Sequence, residues 1–216
     1  RGLGLRRGGQ NATQINLAGS GIGSFNDRLR DAVRGGGPFA PVQEQGFITG
    51  LFTAPNDYMP GRPNTWKYRL FQTTDWIMVG LAGGLKDYEL TDYRGNRVTG
   101  DKIDYNGAPA GYTLDPQEQI VYISAHDNET LFDAIQYKTP VSATATERAR
   151  INNLGVSLVL FSQGIPFFHA GDDLLRSKSL DGNSYNSGDW YNRIDFTYQT
   201  NNWAVGLPDF RADQKD

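Results

Sequence analysis

Apolar and polar positions alternate between two periods along this chain, and the alternation predicts an ordered series of elements. Ile22–Phe25 is a short strand candidate, and Asp27–Val33 is a short amphipathic helix stopped by Gly35-Gly36-Gly37-Pro38. Residues Ala40 to Pro63 show neither period and carry Pro41, Pro55, Pro60 and Pro63, the signature of a long loop. From Asn64 to Ala82, Trp66, Leu70, Thr74, Ile77, Met78 and Leu81 recur at three-to-four spacing, and Gly83-Gly84 closes the helix they predict. Tyr88-Glu89-Leu90 and Tyr93-Arg94-Gly95-Asn96 read as a small hairpin, and Ile103–Pro116 reads as loop.

The run Ile120-Val121-Tyr122-Ile123 is apolar and β-branched or aromatic throughout, which predicts a buried strand of a parallel sheet. Leu131, Phe132 and Ile135 then take up helical spacing. Thr144-Ala145-Thr146-Glu147 is a capping box that opens a long helix with Ile151, Leu154, Leu158 and Phe161 on one face. Ile165–His169 is a second buried strand, followed by Gly171-Asp172-Asp173 and a polar loop from Arg176 to Asn192. Strand, helix, strand, helix, strand is the order of parallel βα units, so the fold class is α/β.

Composition narrows the picture in a few respects. The chain has 216 residues, with 21 basic and 24 acidic side chains for a net charge of −3 and no block of like charge. That balance argues against nucleic acid or an anionic membrane as the main partner. No apolar run approaches the ~18 residues of a membrane span. The absence of cysteine excludes disulfides and thiolate metal sites. Eleven Phe, eleven Tyr and four Trp give material for a core and, in Tyr and Trp, flat faces with a polar handle suited to sugar rings. The Gly- and Arg-rich start, residues 1–11, has no periodicity and reads as an irregular lead-in; opening on Arg1, the chain reads as a fragment or a processed product.

The chemistry that stands out is His126-Asp127-Asn128 at the carboxyl end of the Ile120–Ile123 run, where open α/β sheets place their sites. A plainer reading is that Asp127 or Asn128 caps the helix that follows. Asp27, Arg28, Arg30, Asp31 and Arg34 crowd the end of the first strand, as a solvated helix face with local ion pairs or as part of a site. His169, at the end of an aromatic run, reads as a satisfied core histidine. Asp172-Asp173 reads as structural or substrate-contacting.

Four strings carry a resemblance: ATQINLAGSGIGSFNDRLRDAVRGGGPF, DYNGAPAGY, YISAHDNETLFDAI and DDLLRSKSLDGNSYNSGDWYNRIDF. They resemble the bacterial pullulanases, debranching glycoside hydrolases of the α-amylase superfamily, and the match runs from about residue 12 to residue 208. What the resemblance implies is a (β/α)8 barrel that cleaves α-1,6-glucosidic linkages with retention. On that basis residues 12–216 are the carboxyl-side portion of the catalytic domain, an incomplete TIM barrel. Ile22–Phe25, Ile120–Ala125 and Ile165–His169 are its sixth, seventh and eighth strands.

The family uses an Asp nucleophile, a Glu proton donor and an Asp in a His-Asp-Asn block. Only the third matches this chain, as Asp127, so the amino-terminal part of the barrel is an implied partner. The resemblance also implies sugar contacts by His126, Arg28, Tyr185, Asn186, Asp189, Trp190 and Asn192; for Arg28, pairing with Asp31 is an equal alternative. The implied partner molecule is an α-glucan (pullulan, limit dextrin, starch or glycogen). No cofactor is required, and calcium, though compatible with the family, is not indicated by these residues. A secreted or cell-envelope bacterial protein is the family-level expectation. A second reading is a non-catalytic glucan-binding or vestigial product.

Overall fold

The computed structural model describes residues 11–58 and 63–206, so the lead-in before Asn11 lies outside the described residues. The elements run α1 (Gln14–Leu17), β1 (Ser24–Phe25), α2 (Asp27–Arg34), α3 (Pro63–Leu81), β2 (Glu89–Thr91), β3 (Arg97–Thr99), β4 (Asp104–Tyr105), β5 (Ala108–Pro109), β6 (Gln119–Val121), α4 (Leu131–Lys138), α5 (Ala145–Phe161), β7 (Ile165–Pro166) and α6 (Asp189–Asn192). The organising unit is a three-stranded parallel sheet in the order β1-β6-β7. Phe25, Ile120 and Ile165 stand side by side across it.

These strands are shorter than the apolar runs suggested. Single backbone bonds extend the pairing past their ends, from Asn26 N–H to Ile120 O (3.0 Å) and from Phe167 N–H to Val121 O (2.8 Å). Beyond them the segments diverge into loops. The charged helix α2 is not a solvated face, because Arg28 and Arg34 are buried. Its amino end is capped by Asn26, whose side chain accepts from the N–H groups of Arg28 (3.0 Å) and Leu29 (3.2 Å). The same Asn26 donates its amide to Gln119 Oε1, and Gln119 Nε2 donates to Gly80 O (2.9 Å) and Gln163 O (3.0 Å). One buried, satisfied glutamine thus ties the middle strand to α2, α3 and the end of α5.

The core lies on one face of the sheet. Val121 and Ile123 pack there with Leu29, Val33, Trp76, Leu131, Ile135 and Val159 from the helices. The opposite face carries Phe25, Tyr122, Ile165 and Phe167, with Phe25 edge-on to Tyr122 (4.9 Å) and to Phe167 (5.2 Å). Tyr122 is buried within this layer, but Phe25, Ile165 and Phe167 are 43%, 46% and 37% exposed. The expectation of a second buried strand at Ile165–His169 is therefore corrected: both residues of β7, Ile165 and Pro166, are exposed, and of that stretch only His169 is buried.

Helix α5 begins as its capping box requires, with Thr144 Oγ1 accepting from Glu147 N–H (3.2 Å) and the Glu147 carboxylate from Thr144 N–H (2.7 Å). The anticipated apolar face is met in part, Ile151 and Leu158 packing against the core. Asn152, Gly155 and Val159 face the core, while Leu154 and Phe161 are exposed. Glycine decides this, because a Cβ at position 155 would stand 2.7 Å from Ile123 Cδ1. The side chains of Ile123, Ile48 and Leu131 crowd the helix at the position where it has no side chain.

Helix α3 and the β2–β3 hairpin match the pattern, though α3 buries Thr73, Asp75, Trp76, Ile77 and Val79 near its end and leaves its first turns open. The stretch Ile103–Pro116 is not simple loop. Asn106 (φ 50°) and Gly107 (φ 85°) form the two-residue turn of a second hairpin, β4–β5. Among the described residues, no helix is long and apolar enough to cross a membrane.

Candidate active site

The middle strand delivers its polar residues outward one by one. Tyr122, Ile123 and Ser124 are still buried, and then the chain emerges, leaving the side chains of His126 and Asp127 85% and 80% exposed. The imidazole Nε2 stands 3.4 Å from the Asp127 carboxylate. Neither Asp127 nor Asn128 caps α4. Thr130 does, its hydroxyl accepting from Asp133 N–H (3.1 Å), so the capping reading is overturned. The 126–128 turn is left free of that structural duty.

What holds the turn lies beneath it. Asn128 has a left-handed backbone, φ 63°, a conformation Asn tolerates better than most residues. Lys178, from the segment after β7, donates its ammonium to His126 O (3.2 Å) and Asn128 O (2.7 Å). Its own N–H donates to Asp133 Oδ2 (2.7 Å), while Ser177 Oγ donates to Asp133 Oδ1 (2.6 Å). Ser124 Oγ reaches both oxygens of Asp172 (2.8 and 3.0 Å), and Asn152 Nδ2 donates to Asp172 O (2.8 Å). The loops that leave β6 and β7 are thereby fastened to each other and to α4 and α5.

Burial dominates the electrostatics of this layer. It raises the Asp133 carboxyl against the opposing hydrogen bonds from Ser177 and Lys178, and it lowers the Lys178 ammonium. It pushes Asp172 up to about 6 against the bonds from Ser124, and His169 down to about 4. His169 is buried as anticipated but not satisfied. Arg176 Nη1 lies 3.4 Å from its Nε2, and its Nδ1 has no hydrogen-bond partner. Asp172 is structural, while Asp173 is exposed.

Arg28 belongs to a different neighbourhood. Its guanidinium lies over the rings of Tyr112 (4.4 Å) and Tyr105 (5.1 Å) and donates to Pro109 O (3.0 Å) and to Gln14. Its ion pair is with Asp27 (2.7 Å), not Asp31, which pairs with Arg30 (2.6 Å). All these partners lie outside the 126–128 turn and the 185–192 loop. In that loop Tyr185 and Trp190 are 83% and 61% exposed, and Asn186 and Asp189 are exposed beside them. Asn192 is engaged within the loop: its amide accepts from Ser184 Oγ (2.7 Å) and donates to Ser184 O (2.7 Å) and Gly188 O (3.2 Å).

Behind the turn stand Ser124, Asp133, Ser177 and Lys178, none of which the sequence pattern singles out. Nothing in the polar string Arg176-Ser177-Lys178-Ser179 marks it as buried, yet Ser177 and Lys178 are 0% and 2% exposed. Chemically, the arrangement presents a carboxylate paired with an imidazole on a backed turn, with aromatic and amide side chains on the next loop. That set can oppose a developing positive charge and grip hydroxyl groups. Among the described residues, no group of three or more His, Cys, Asp or Glu is placed to hold a metal ion.

No protein-family model matches the chain. Individual proteins do. The chain is 55% identical over 201 residues to chloroplastic pullulanase 1 of Arabidopsis thaliana, covering 93% of this chain and 21% of that protein. It is 46% identical over 201 residues to the pullulanase of Klebsiella aerogenes, covering 91% of this chain and 18% of that protein. The similarity is therefore not confined to bacteria. Its structure superposes on a crystal structure of Klebsiella pneumoniae pullulanase complexed with maltotriose at a TM-score of 0.89, with 45% identity over 94% of this chain and 19% of that one. The chain is homologous to the pullulanases over nearly its whole length, as a segment spanning about a fifth of the length of these relatives.

Proposed function

We propose that residues 12–216 are the carboxyl-side portion of a (β/α)8 catalytic barrel, contributing β1, β6 and β7 as its sixth to eighth strands. The complete enzyme, on this reading, hydrolyses α-1,6-glucosidic bonds of an α-glucan such as pullulan, limit dextrin, starch or glycogen, with retention. A sheet of three parallel strands whose core packing lies on one face, with Phe25, Ile165 and Phe167 exposed on the other, supports the barrel reading. The first five strands would cover the other face and would bring the nucleophile and the acid/base carboxyl, which a retaining glycosidase needs ~5–5.5 Å apart.

The observation that carries the functional reading is the exposed Asp127 carboxylate, beside His126, at the carboxyl end of the middle parallel strand. As the glycosidic bond breaks, the sugar ring gains oxocarbenium character. A carboxylate already in place opposes that positive charge without reorganising. At ~4 Å and an effective dielectric of ~20, such a charge contributes roughly 4 kcal/mol, about three decades in rate. His126 hydrogen-bonds the same ring. Tyr185 and Trp190 offer faces to glucose units, Asn186 and Asp189 grip hydroxyls, and Asn192 keeps the loop in shape. Arg28, enclosed by tyrosines, acts by holding the β4–β5 hairpin against the sixth-strand end.

The test is Asp127→Asn in the complete enzyme. Turnover on pullulan should fall about a thousandfold, with the far-ultraviolet circular dichroism and the melting temperature unchanged. A loss below about tenfold would sink the role given to Asp127.

A further inference from the structure

A turn that presents a charge-stabilising carboxylate must hold its direction, and a carboxylate 80% exposed to water cannot do so by packing. The backbone on either side of Asp127 is what can be fixed. The Lys178 ammonium lies between the carbonyl oxygens of His126 and Asn128, one residue before and one after Asp127. The first bond fixes the 126–127 peptide plane that leads into Asp127, and the second fixes the 128–129 plane beyond Asn128, so the stretch carrying Asp127 is pinned at both ends. The second of these carbonyls belongs to Asn128, whose left-handed backbone, φ 63°, turns the chain there.

The lysine is itself immobilised. Its N–H is held by Asp133 of α4, and its C=O accepts from Tyr191 Oη (2.7 Å) in α6. A lysine that is 2% exposed, with carbonyls as its direct acceptors, gains less than one bonded to a carboxylate for the same desolvation.

We infer that Lys178 is a positioning residue, whose ammonium clamps the 126–128 turn so that the Asp127 carboxylate faces the reacting sugar. The inference rests on the role given to Asp127, and the following experiment separates the two. In the complete enzyme, Lys178→Met should lower kcat by about 100-fold, as a displacement near 1 Å does, with KM changed by less than about threefold. On an Asp127→Asn background the same change should lower kcat by less than a further ~3-fold, because the lysine works through that carboxylate. A purely structural lysine would give equal losses on both backgrounds. If Lys178→Met yields no soluble protein, Lys178→Gln, which keeps an amide donor, makes the same comparison.

Full activity in Lys178→Met beside a crippled Asp127→Asn would overturn the clamp and leave the role of Asp127 standing. Equal losses on the two backgrounds would also overturn the clamp. An active Asp127→Asn would remove both readings together.

Discussion

Asp127 and Asp172 sit on loops that leave adjacent strands, and their surroundings give them opposite characters. Asp127 is open to water beside an imidazole, whereas Asp172 is sealed under Ser124 and Asn152. His169 belongs with the sealed group, and its titration is testable. Burial lowers its folded pKa to about 4, below the ~6.5 of an unfolded histidine. The unfolded chain therefore binds the extra proton first, and the stability from the neutral imidazole is lost as pH falls from about 6.5 to about 4. Asp172, raised to about 6, works in the other direction over much of the same window, so the total pH profile mixes the two. Comparison with His169→Gln in the complete protein isolates the histidine. The wild-type protein should lose melting temperature relative to the variant between pH 7 and pH 4.5; parallel shifts of the two would show that His169 does not titrate as described.

Helix α5 satisfies its sequence rules but centres its core face on Asn152, Gly155 and Val159, with Ile151 and Leu158 alone of the anticipated residues packed there. The capping box fixed its start, but Gly155 determined which side meets the sheet, by admitting Ile123, Ile48 and Leu131 to within 2.7–3.2 Å of where a Cβ would stand. All three are the ends of flexible side chains. Gly155→Ala should therefore be nearly neutral, because the gain in helix propensity, ~1 kcal/mol, offsets a small repacking. Gly155→Val adds two methyl groups where there is no space and should lose about 1–3 kcal/mol. Thermal melts of the two variants check this, and equal melting temperatures would mean that α5 can back away from the sheet. The β4–β5 hairpin teaches a different lesson: its Asn106-Gly107 turn was legible from the dipeptide alone, since both residues take positive φ.

At the scale of the whole molecule, the dominant feature is a sheet with one face uncovered. Phe25, Ile165 and Phe167 form an apolar, aromatic surface on that side, and the sheet ends in β1 at one edge and β7 at the other. Unpaired edges beside exposed apolar side chains invite association. The isolated 216-residue chain should bind a hydrophobic dye such as ANS and melt without a sharp transition. Co-expression with the amino-terminal part of a barrel should suppress both behaviours. A monomer with a sharp, high-temperature melt and no dye binding would count against the barrel reading. The sequence by itself determined the alternation of parallel strands with helices and the capped start of α5, because apolar period and capping are local properties. Tertiary structure alone decided that β7 is exposed, that Thr130 and not Asn128 caps α4, that Arg28 pairs with Asp27 among tyrosines, and that Lys178 lies under the turn. Each of these depends on which surface another segment brings close, and spacing within one segment carries no record of that.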